Sequence, residues 1–494
     1  MGRTPDAQSG TMGMDAMSVD HPRADQPSPT SRPSRPLAVV VLAAGLGTRM
    51  RSELPKVMHP VCGRPLLAYV LDAAGALDPA RLVVVTGPDH QGVEALLPPG
   101  AQCAVQAERL GSGDAVRAGM APLEGFEGDV MVLNGDVPLA GAELLGGLLG
   151  HHVDGAARAT ITSVVLADPG HYGRVIRDPH GNVARIVEAR DASPEELAIA
   201  EINVGFYVFD AAGLRRFLPT LTADNAQGEY YLTELVHRFL QAGDRVAAFR
   251  TADVEASMGV NSRVELAEVT AIMRRRLLER LMLEGVTIED PSSTYVDWGV
   301  AVGRDSLIRP QTMLTGATTV GERCTVGPGC FLADVTVDDG AAIVSSHLIG
   351  CHVGPGCNVG PFTHVRAHTE LAEGAKAGSF VEIKASRVGK GSKVPHLSYV
   401  GDTTIGENSN IGAGTITANY DGEHKHQTTI GNDVKVGSDT VLVAPVTVGD
   451  GAYTGAGSTI TRDVPDGALG VARARQDNVE GYADRRRGRR RDGD

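Results

Sequence analysis

Aliphatic residues recur every six positions through much of the C-terminal half of the chain. Three such series begin at Val302, Val353 and Ile430, and the last ends at Ile460. The positions between them are mostly glycine, alanine, serine, threonine, aspartate or asparagine. A period of six fits neither an α-helix, which needs about 3.6, nor a single strand, which needs about 2. The pattern is typical of a solenoid of short strands and tight corners, in which the aliphatic residue of each hexad points inward.

The N-terminal half has a different pattern. A continuous apolar run over residues 37–42 predicts a central parallel strand, and similar runs follow at 82–85 and 130–133. Helical stretches such as residues 65–76 separate these runs. This alternation indicates an α/β domain with a parallel sheet, and in such sheets ligands bind beyond the carboxyl ends of the strands.

These patterns divide the chain into five parts. Residues 1–36 lack periodicity and are rich in proline, serine and charged residues, so we expect a disordered extension. The α/β domain covers 37–261, and apolar residues at helical spacing predict a linker helix over 262–285. The solenoid covers 286–475. The tail, 476–494, holds a run of arginines, and we expect it to be disordered and solvated.

The composition, 42% hydrophobic and 21% charged, is that of an ordinary globular protein, and the net charge of −14 argues against a general nucleic-acid binder. No apolar run reaches the roughly 18 residues that span a bilayer. The N-terminus has no apolar signal-peptide core, so we expect a cytoplasmic protein. The six cysteines lack zinc-binding spacing, and we expect reduced packing residues. They are Cys62, Cys103, Cys324, Cys330, Cys351 and Cys357.

The turn after the first strand carries candidate phosphate-binding residues. Gly45-Leu-Gly47-Thr-Arg49 lacks the third glycine of the dinucleotide-binding fingerprint and the GK[ST] end of a P-loop. Its glycines permit close backbone approach, and its N–H groups can face anionic oxygens. Arg49 and Lys56 add positive charge nearby. In isolation, the turn could equally be a structural strand-to-helix connection.

The longer string decides between these interpretations. Residues 42–50 with Pro55-Lys56 resemble the signature of the sugar-1-phosphate nucleotidylyltransferases. Other parts of that family's pattern are matched by residues 106–113, 134–139, 172–174, 186–188, 201–205 and 259–261. Asn134, Ser112 and Met258 depart from the expected residues, and none of the three is a proposed metal ligand or base.

The resemblance implies that the glycine loop wraps a nucleoside triphosphate, with Arg49 and Lys56 acting on its phosphates. It also implies Mg²⁺ held by Asp136 and Asn261, since this ion suits few protein oxygens and keeps its other positions for phosphates and water. The residues implied to bind UTP or the UDP-sugar are Leu42, Ala43, Ala44, Gly45, Lys56, Gln106, Gly111, Ser112, Gly173, Glu188, Asn203 and Asn261.

The six-residue rhythm has irregularities between Ile383 and Gln427. It slips between Ile383 and Val388 and between Val400 and Ile405, and residues 418–427 interrupt it. Bulky polar residues that a solenoid does not need lie near these breaks. They are Arg366, Glu382, Lys384, His396, Tyr399, Asn410, Asn419 and Tyr420. Taken singly, such a histidine is usually a satisfied structural residue and such a lysine is usually solvated.

Residues 380–384, 396–402 and 410–422 resemble, together, the bifunctional family that acetylates glucosamine 1-phosphate and uridylylates N-acetylglucosamine 1-phosphate. The resemblance covers about residues 37–475. It implies a Rossmann-like α/β nucleotidyltransferase domain followed by an all-β left-handed parallel β-helix. It also implies a homotrimer with the second site between subunits.

The resemblance assigns roles to the residues of the second site. His396 is implied to be the base that deprotonates the sugar amine, with Glu382 orienting it. Arg366 and Lys384 are implied to hold the sugar phosphate. Tyr399 and Asn410 are implied to hold sugar hydroxyls. The residues implied to line the acetyl-CoA site are Ala413, Asn419, Tyr420, Ser438, Ala456 and Arg473.

The implied function is acetyl transfer from acetyl-CoA to glucosamine 1-phosphate, followed by uridylyl transfer from UTP to give UDP-N-acetylglucosamine and pyrophosphate. That product feeds bacterial cell-wall precursors. One alternative is a single-activity nucleotidylyltransferase whose β-helix is a scaffold or an allosteric element. Another is a non-catalytic regulatory subunit, which predicts decayed phosphate and metal residues, whereas Arg49, Lys56, Asp136 and Asn261 are all present.

Overall fold

The computed structural model describes residues 35–88 and 92–491. The predicted disordered extension, residues 1–36, lies almost wholly outside this range. Both domain folds are confirmed: an α/β nucleotidyltransferase-like domain precedes a left-handed parallel β-helix. The predicted domain limits at 36, 261 and 475 stay predictions.

The α/β domain is built on a nine-stranded mixed sheet in the order β11-β7-β10-β6-β1-β4-β5, with β8 and β9 attached beside β10. Its strands, with the separate hairpin β2–β3, are β1 Leu37–Ala43, β2 Pro60–Val61, β3 Arg64–Pro65, β4 Arg81–Thr86, β5 Gln102–Val105, β6 Asp129–Asn134, β7 Ala159–Val165, β8 Arg174–Arg177, β9 Val183–Val187, β10 Glu201–Asp210 and β11 Val246–Arg250. The helices are α1 Leu66–Gly75, α2 Ser112–Met120, α3 Ala142–Asp154, α4 Pro194–Leu197, α5 Ala211–Phe217, α6 Glu234–Gln241 and α7 Arg263–Leu283. Short 3₁₀ turns are Thr48–Met50, Lys56–Met58, Glu94–Leu96, Ala121–Leu123, Leu218–Thr220 and Glu255–Ser257.

Strand β1 explains the first apolar run of the sequence. Ala38 and Val40 pack into the core on one face of the sheet, while Val39 and Val41 pack into the core on the other. Because both faces of the sheet are covered, the strand does not alternate between apolar and polar residues and is apolar throughout. Strand β1 pairs in parallel with β4 and β6, so the carboxyl ends of all three strands lie at one edge of the sheet, where the glycine loop begins.

Helix α7 joins the two domains through both of their cores. Val269, Met273 and Leu277 pack in a cluster with Met50 and other residues of the α/β domain. Leu278 and Leu281, further along the helix, belong to the core of the β-helix. The helix is therefore packed into both cores and is not a solvent-exposed linker.

The β-helix consists of three parallel sheets, each receiving one strand per turn. Sheet I has strands Thr287–Ile288, Leu307–Ile308, Thr325–Val326, Ala342–Ile343, Asn358–Val359, Lys376–Ser379, Lys393–His396, Asn410–Ile411, Lys435–Val436, Tyr453–Thr454 and Leu469–Gly470. Sheet II has Tyr295–Val296, Met313–Thr315, Phe331–Ala333, His347–Ile349, His364–Val365, Glu382–Lys384, Tyr399–Gly401, Ile416–Ala418, Val441–Val443 and Thr459–Ile460. Sheet III has Ala301–Val302, Thr319–Val320, Thr336–Val337, His352–Val353, Glu370–Leu371, Arg387–Val388, Thr403–Ile405, Thr428–Ile430 and Val446–Val448.

The hexad prediction is confirmed at the level of burial. The aliphatic residues that mark the rhythm form one continuous buried core. The cysteines of the β-helix are free and buried with them. Burial raises the pKa of the Cys351 thiol to about 12 and that of Cys357 to about 11, so neither is a ready thiolate nucleophile.

The slips of the rhythm have a simpler structural meaning than the sequence suggested. The five-residue step from Ile383 to Val388 is one short side of the prism, turned by Ala385 in the left-handed region (φ 45°). The same five-residue step occurs from Leu332 to Val337, where none of the predicted site residues lies. A five-residue step alone therefore does not mark a site, and the prediction of a second site depends on the polar residues near the steps. The insertion at 418–427 is different, because it lengthens one whole turn: Asn410 pairs in register with Lys435.

The tail also differs from its prediction. Helix α8, Tyr482–Arg491, occupies the segment that was expected to be disordered. Arginine is a good helix former, and Asp484 lies 3.5 Å from Arg487 one turn away, so the segment can form an exposed helix without a core. Across the described part of the chain, helices are too short or too polar to cross a bilayer.

Candidate active sites

A cleft at the carboxyl edge of the α/β sheet contains the predicted nucleotide site. One cavity of about 480 Å³ is lined by the glycine loop and by side chains that follow β5 and β6. The predicted residues that line it are Leu42, Ala43, Ala44, Gly45, Arg49, Lys56, Gln106, Gly111, Ser112, Asp136 and Asn261. A neighbouring cavity of about 280 Å³ shares six of the same wall residues and adds Gly173, Glu188 and Asn203. The structure thus brings every residue predicted for this site into one cleft.

The glycine loop needs a glycine at position 47. Gly47 has a left-handed backbone (φ 61°), and an added Cβ would lie 2.7 Å from Cβ of Lys56. Any other residue would meet both the backbone penalty and this clash. The close approach sets the glycine loop directly against the segment that carries Lys56.

Lys56, Asp136 and Asn261 converge in the cleft. The Lys56 ammonium donates to Oδ2 of Asp136 and, at 3.1 Å, to Oδ1 of Asn261. Asp136 follows the end of β6, and Asn261 precedes α7, whose Glu265 accepts the backbone N–H of Asn261 at 2.8 Å. The two oxygens are therefore fixed by separate elements and aimed at one cation position.

This donor set fits magnesium. One carboxylate and one amide oxygen are hard ligands, and the single ammonium at both shows that they can serve one cation together. Among the described residues no group of three or more His, Cys, Asp or Glu side chains could hold a metal. A bound Mg²⁺ would therefore take most of its ligands from phosphates and water.

The deeper part of the cleft is a set of buried polar groups with defined partners. Gln106 Nε2 donates to the Gly111 carbonyl at 3.1 Å and to Asp114 at 2.9 Å. Burial raises the pKa of the Glu188 carboxyl, although the Thr233 hydroxyl donates to it at 3.0 Å. These contacts fix the polar side chains before any ligand arrives.

Two residues near this cleft escaped the sequence interpretation. Arg109 Nε donates to the Ala44 carbonyl of the glycine loop at 2.8 Å, and its side chain lines the cleft. His171 stacks on Tyr172 with ring centroids 5.1 Å apart and lines the smaller cavity. Neither stands out in the sequence, because an arginine in a loop or a histidine beside a tyrosine has no diagnostic spacing.

We expect Arg109→Gln to raise KM for UTP, the nucleotide that the resemblance implies, about tenfold with little change in kcat, because a hydrogen bond from a charged group contributes about 1.5–3 kcal/mol. The loss would loosen Ala44 without removing a reacting group. Steady-state kinetics of uridylyl transfer measures both constants. Arg81→Gln is the matched control, since the Arg81 side chain also donates to a backbone carbonyl, that of Ala80 at 2.9 Å, at the opposite end of β4 from the cleft. An equal loss in both variants would contradict the role of Arg109.

The second predicted site lies on the outer face of sheet II. Glu382 and Tyr399 are register partners on neighbouring strands. Arg366 lies 3.0 Å from Glu382, and Lys384 lies 3.3 Å from Asp402. Asn419 also donates to Asp402. Asp402 was not among the predicted site residues, yet it holds two of them in place.

His396 differs from its prediction in one contact. It lies exposed at the end of a strand of sheet I, where it pairs in register with Ser379. Within the described residues no hydrogen bond joins it to Glu382, whose carboxylate pairs with Arg366 instead. Arginine and glutamate attract each other strongly at this spacing, and sequence alone could not tell which neighbour the carboxylate would choose. The proposed orienting role of Glu382 therefore lacks a direct contact in the single chain.

Four of the six predicted acetyl-CoA residues lie along one corner of the prism, whereas Asn419 and Tyr420 belong to the insertion at 418–427. Ala413, Ser438 and Ala456 each follow by two residues an inward residue of sheet I, and their turns are joined by backbone hydrogen bonds of 2.7–2.8 Å. Arg473 follows the last strand of that sheet. Asn410 also belongs to sheet I, whereas Tyr399 belongs to sheet II, so one chain does not bring these two sugar ligands onto one face.

The inserted segment is a compact hairpin. His426 Nε2 lies 2.6 Å from Asp421 Oδ2, and the Tyr420 hydroxyl donates to the Gly422 carbonyl at 2.5 Å. Backbone N–H groups of His424 and Glu423, together with the His426 side chain, hold the pKa of Asp421 far below its usual range. The insertion thus has a fixed shape, and Tyr420 is 61% exposed on it.

The fold and the two sites define a class: a nucleotidyltransferase domain joined to a hexapeptide-repeat acyltransferase domain. Residues 39–282 match the family model of the MobA-like NTP transferase domain, and residues 427–462 match that of the bacterial transferase hexapeptide with six repeats.

Whole-chain relatives identify the family. The chain is 48% identical to the bifunctional protein GlmU of Mycolicibacterium vanbaalenii, covering 92% of this chain and 94% of the relative. It is also 48% identical to that of Corynebacterium glutamicum (91% and 94% covered) and 49% identical to that of Mycobacterium sp. strain KMS (91% and 92% covered). The chain belongs to the family of bifunctional GlmU proteins. It is a bifunctional nucleotidyltransferase and acetyltransferase of UDP-N-acetylglucosamine synthesis.

Proposed function

We propose that the two reactions take place at two separate sites, acetyl transfer on the β-helix and uridylyl transfer in the α/β cleft. The observation that carries the proposal is the cleft itself, where Lys56, Asp136 and Asn261 converge beside the glycine loop. The polar cluster around Lys384, far along the chain on the β-helix, supports a second site.

In the cleft, an oxygen of N-acetylglucosamine 1-phosphate attacks the α-phosphorus of UTP. A new P–O bond forms, the bond between the α- and β-phosphates breaks, and pyrophosphate leaves. Positioning and charge neutralisation do most of the work in such a transfer. Arg49 and Lys56 supply fixed positive charge, and Mg²⁺ held by Asp136 and Asn261 supplies more when bound. Glu188 and Asn203, in the smaller cavity, hold the sugar.

On the β-helix, the amine of glucosamine 1-phosphate attacks the thioester carbonyl of acetyl-CoA. His396 accepts a proton from the amine, a C–N bond forms, the C–S bond breaks, and protonated His396 gives the proton to the leaving sulfur, so that CoA leaves as a thiol. Lys384 and Arg366 hold the sugar phosphate. Asn419, fixed by Asp402, borders the acetyl group.

We assign the protein to a homotrimer whose neighbouring subunit completes the second site. An apolar ridge, defined as Phe362, Phe380 and Leu397, runs along the corner beside His396, and its members are 59–64% exposed. All three have left-handed backbones (φ 59°, 59° and 48°), which are uncommon for large side chains and cost about 1–3 kcal/mol each. A strained, exposed apolar ridge is typical of an interface. The separation of Asn410 from Tyr399 on two sheets also supports a site shared between copies.

We expect Phe380→Gly to dissociate the trimer while preserving the fold, because glycine accepts the left-handed backbone without strain. The rings of Phe362 and Phe380 stack 5.2 Å apart, so the change removes half of an exposed aromatic pair. Analytical ultracentrifugation should show a smaller species, and acetyl transfer should fall at least about tenfold. Arg323→Gly is the control, since Arg323 also has a left-handed backbone but lies on another corner. A Phe380→Gly trimer with full activity would contradict the interface.

The single-activity alternative makes the β-helix a scaffold or an allosteric element. It gives no reason for Lys384 and Asn419 to share Asp402 on an outer face. A cytoplasmic location is proposed because the six cysteines are free thiols, which suits a reducing compartment.

One experiment tests the whole proposal. Purified protein is given glucosamine 1-phosphate, acetyl-CoA, UTP and Mg²⁺, and the products are identified by mass spectrometry. We expect UDP-N-acetylglucosamine, CoA and pyrophosphate. A UDP-sugar formed only when N-acetylglucosamine 1-phosphate is supplied would support the single-activity alternative, and no UDP-sugar from either substrate would refute the proposal.

A further inference from the structure

Lys56 contacts the same two side chains, Asp136 and Asn261, that are assigned to the metal. Its ammonium lies against Asp136 Oδ2 and 3.1 Å from Asn261 Oδ1, in a place where the Lys56 and Asp136 side chains are only 13% and 15% exposed. We propose that Lys56 and magnesium exchange at these oxygens, so that Lys56 is the internal counter-ion of Asp136 until the metal and the nucleotide arrive together. The inference rests on the proposed magnesium assignment.

The exchange follows from charge. A lysine ammonium and a divalent cation repel each other, and one carboxylate cannot neutralise both at hydrogen-bond distance. The amide oxygen of Asn261 adds a dipole but no charge. Magnesium therefore cannot take both oxygens while the ammonium stays on them.

The movement required of Lys56 is confined to its side chain. Its backbone lies in the 3₁₀ turn Lys56–Met58, where the Met58 N–H donates to the Pro55 carbonyl at 2.9 Å. Cβ of Lys56 lies against Gly47, which further fixes the base of the side chain. The flexible four-carbon stem can still carry Nζ into the 480 Å³ cavity that Lys56 lines.

The triphosphate is the natural new partner for the displaced ammonium. Without nucleotide, magnesium must displace Lys56 with no anion ready to receive it, so its binding is weak. With UTP present, the Lys56 ammonium moves from a carboxylate to a phosphate and loses little electrostatic stabilisation. Each of UTP and the metal therefore raises the affinity for the other by more than their direct contact alone would produce. The coupling is reciprocal.

The test measures metal binding directly, using Mn²⁺ as the probe because it accepts the same oxygen ligands and can be followed by electron paramagnetic resonance. In the absence of nucleotide, we expect Lys56→Met to bind Mn²⁺ about 10–100-fold more tightly than the wild type, because no hydrogen bond to a charged group need be broken. Lys56→Arg keeps a cation and should bind Mn²⁺ as weakly as the wild type.

The control for lost charge is Arg49→Met, which removes a cation from the same cavity. Arg49 makes no hydrogen bond or ion pair with Asp136 or Asn261 among the described residues, so its loss should change Mn²⁺ affinity by less than about threefold. Circular dichroism melts check that each variant is folded.

A second measurement adds UTP. The gain in Mn²⁺ affinity on adding UTP should be larger in the wild type than in Lys56→Met, since only the wild type has an ammonium to move. Equal Mn²⁺ affinity of wild type and Lys56→Met without nucleotide would overturn the exchange. Asp136→Asn separates this from a failure of the metal assignment: if that variant binds Mn²⁺ with UTP as well as the wild type does, the metal lies elsewhere.

Discussion

Asp136→Asn is expected to reduce UDP-sugar formation by about 10³-fold or more, since a catalytic metal contributes several kcal/mol and each 1.36 kcal/mol is about a factor of ten. The substitution keeps the size and shape of the side chain but removes the charge at the point where Lys56 and Asn261 converge. An uncharged amide cannot attract a divalent cation into a site whose only other assigned protein ligand is also an amide.

The uridylyl assay should contain N-acetylglucosamine 1-phosphate, UTP and Mg²⁺, with pyrophosphate release as the readout. Acetyl transfer, measured as CoA thiol release, should be unchanged in the same preparation. Asp72→Asn is a control of the same chemistry, because Asp72 pairs with Arg64 at 2.6 Å away from the cleft. Loss of both activities in a folded Asp136→Asn protein would show that the two sites are not separate.

His396→Ala is expected to have the opposite effect, a loss of about 10²–10⁴-fold in acetyl transfer with normal uridylyl transfer. The sugar amine is mostly protonated near neutral pH and must lose a proton before it can attack. His396 is exposed beside the apolar ridge, where a proton acceptor is accessible to substrate, and alanine offers no acceptor.

The matched control is His347→Ala, another histidine on the outer surface of the β-helix, which packs against the ring of Phe331. It should keep full acetyl transfer. Retention of most acetyl transfer by His396→Ala would require another base. Loss of the proposed trimer in this variant, checked by ultracentrifugation, would point instead to a structural role.

The architecture follows closely from the sequence, because periodicity is a property of the chain itself. Each inward position of the β-helix must be small or aliphatic, and each turn repeats the requirement, so the pattern accumulates over many coils. The handedness of the helix is not visible in that pattern and came from the resemblance. A five-residue side such as Leu332 to Val337 buries its inward residues as well as a six-residue side does, so the length of a step does not by itself identify a site.

The placement of the candidate site residues was predictable where they lie in one recognisable segment, and less predictable where tertiary contacts determine their partners. The glycine loop and Asp136 each lie in a short segment that matches the family's pattern, residues 42–50 and 134–139. The roles of Arg109 and Asp402 depend on which backbone or side chain folds beside them, and their sequence spacing does not indicate these contacts. Glu382 shows the same limit, since its carboxylate meets Arg366 from the preceding turn rather than His396.

Helix α7 has a consequence for how the two activities could be separated or recombined. Its first turn holds the backbone of Asn261, and its last turns are part of the β-helix core. The first coil of the β-helix is bound to the α/β domain as well, because the backbone N–H of Trp298 donates to the Cys62 carbonyl at 2.9 Å. A protein shortened at residue 261 would keep the glycine loop yet leave Asn261 at a frayed end. A uridylyltransferase domain that folds on its own therefore has to extend beyond Asn261, its last binding residue. A chimaera with a foreign β-helix should be joined several coils beyond α7.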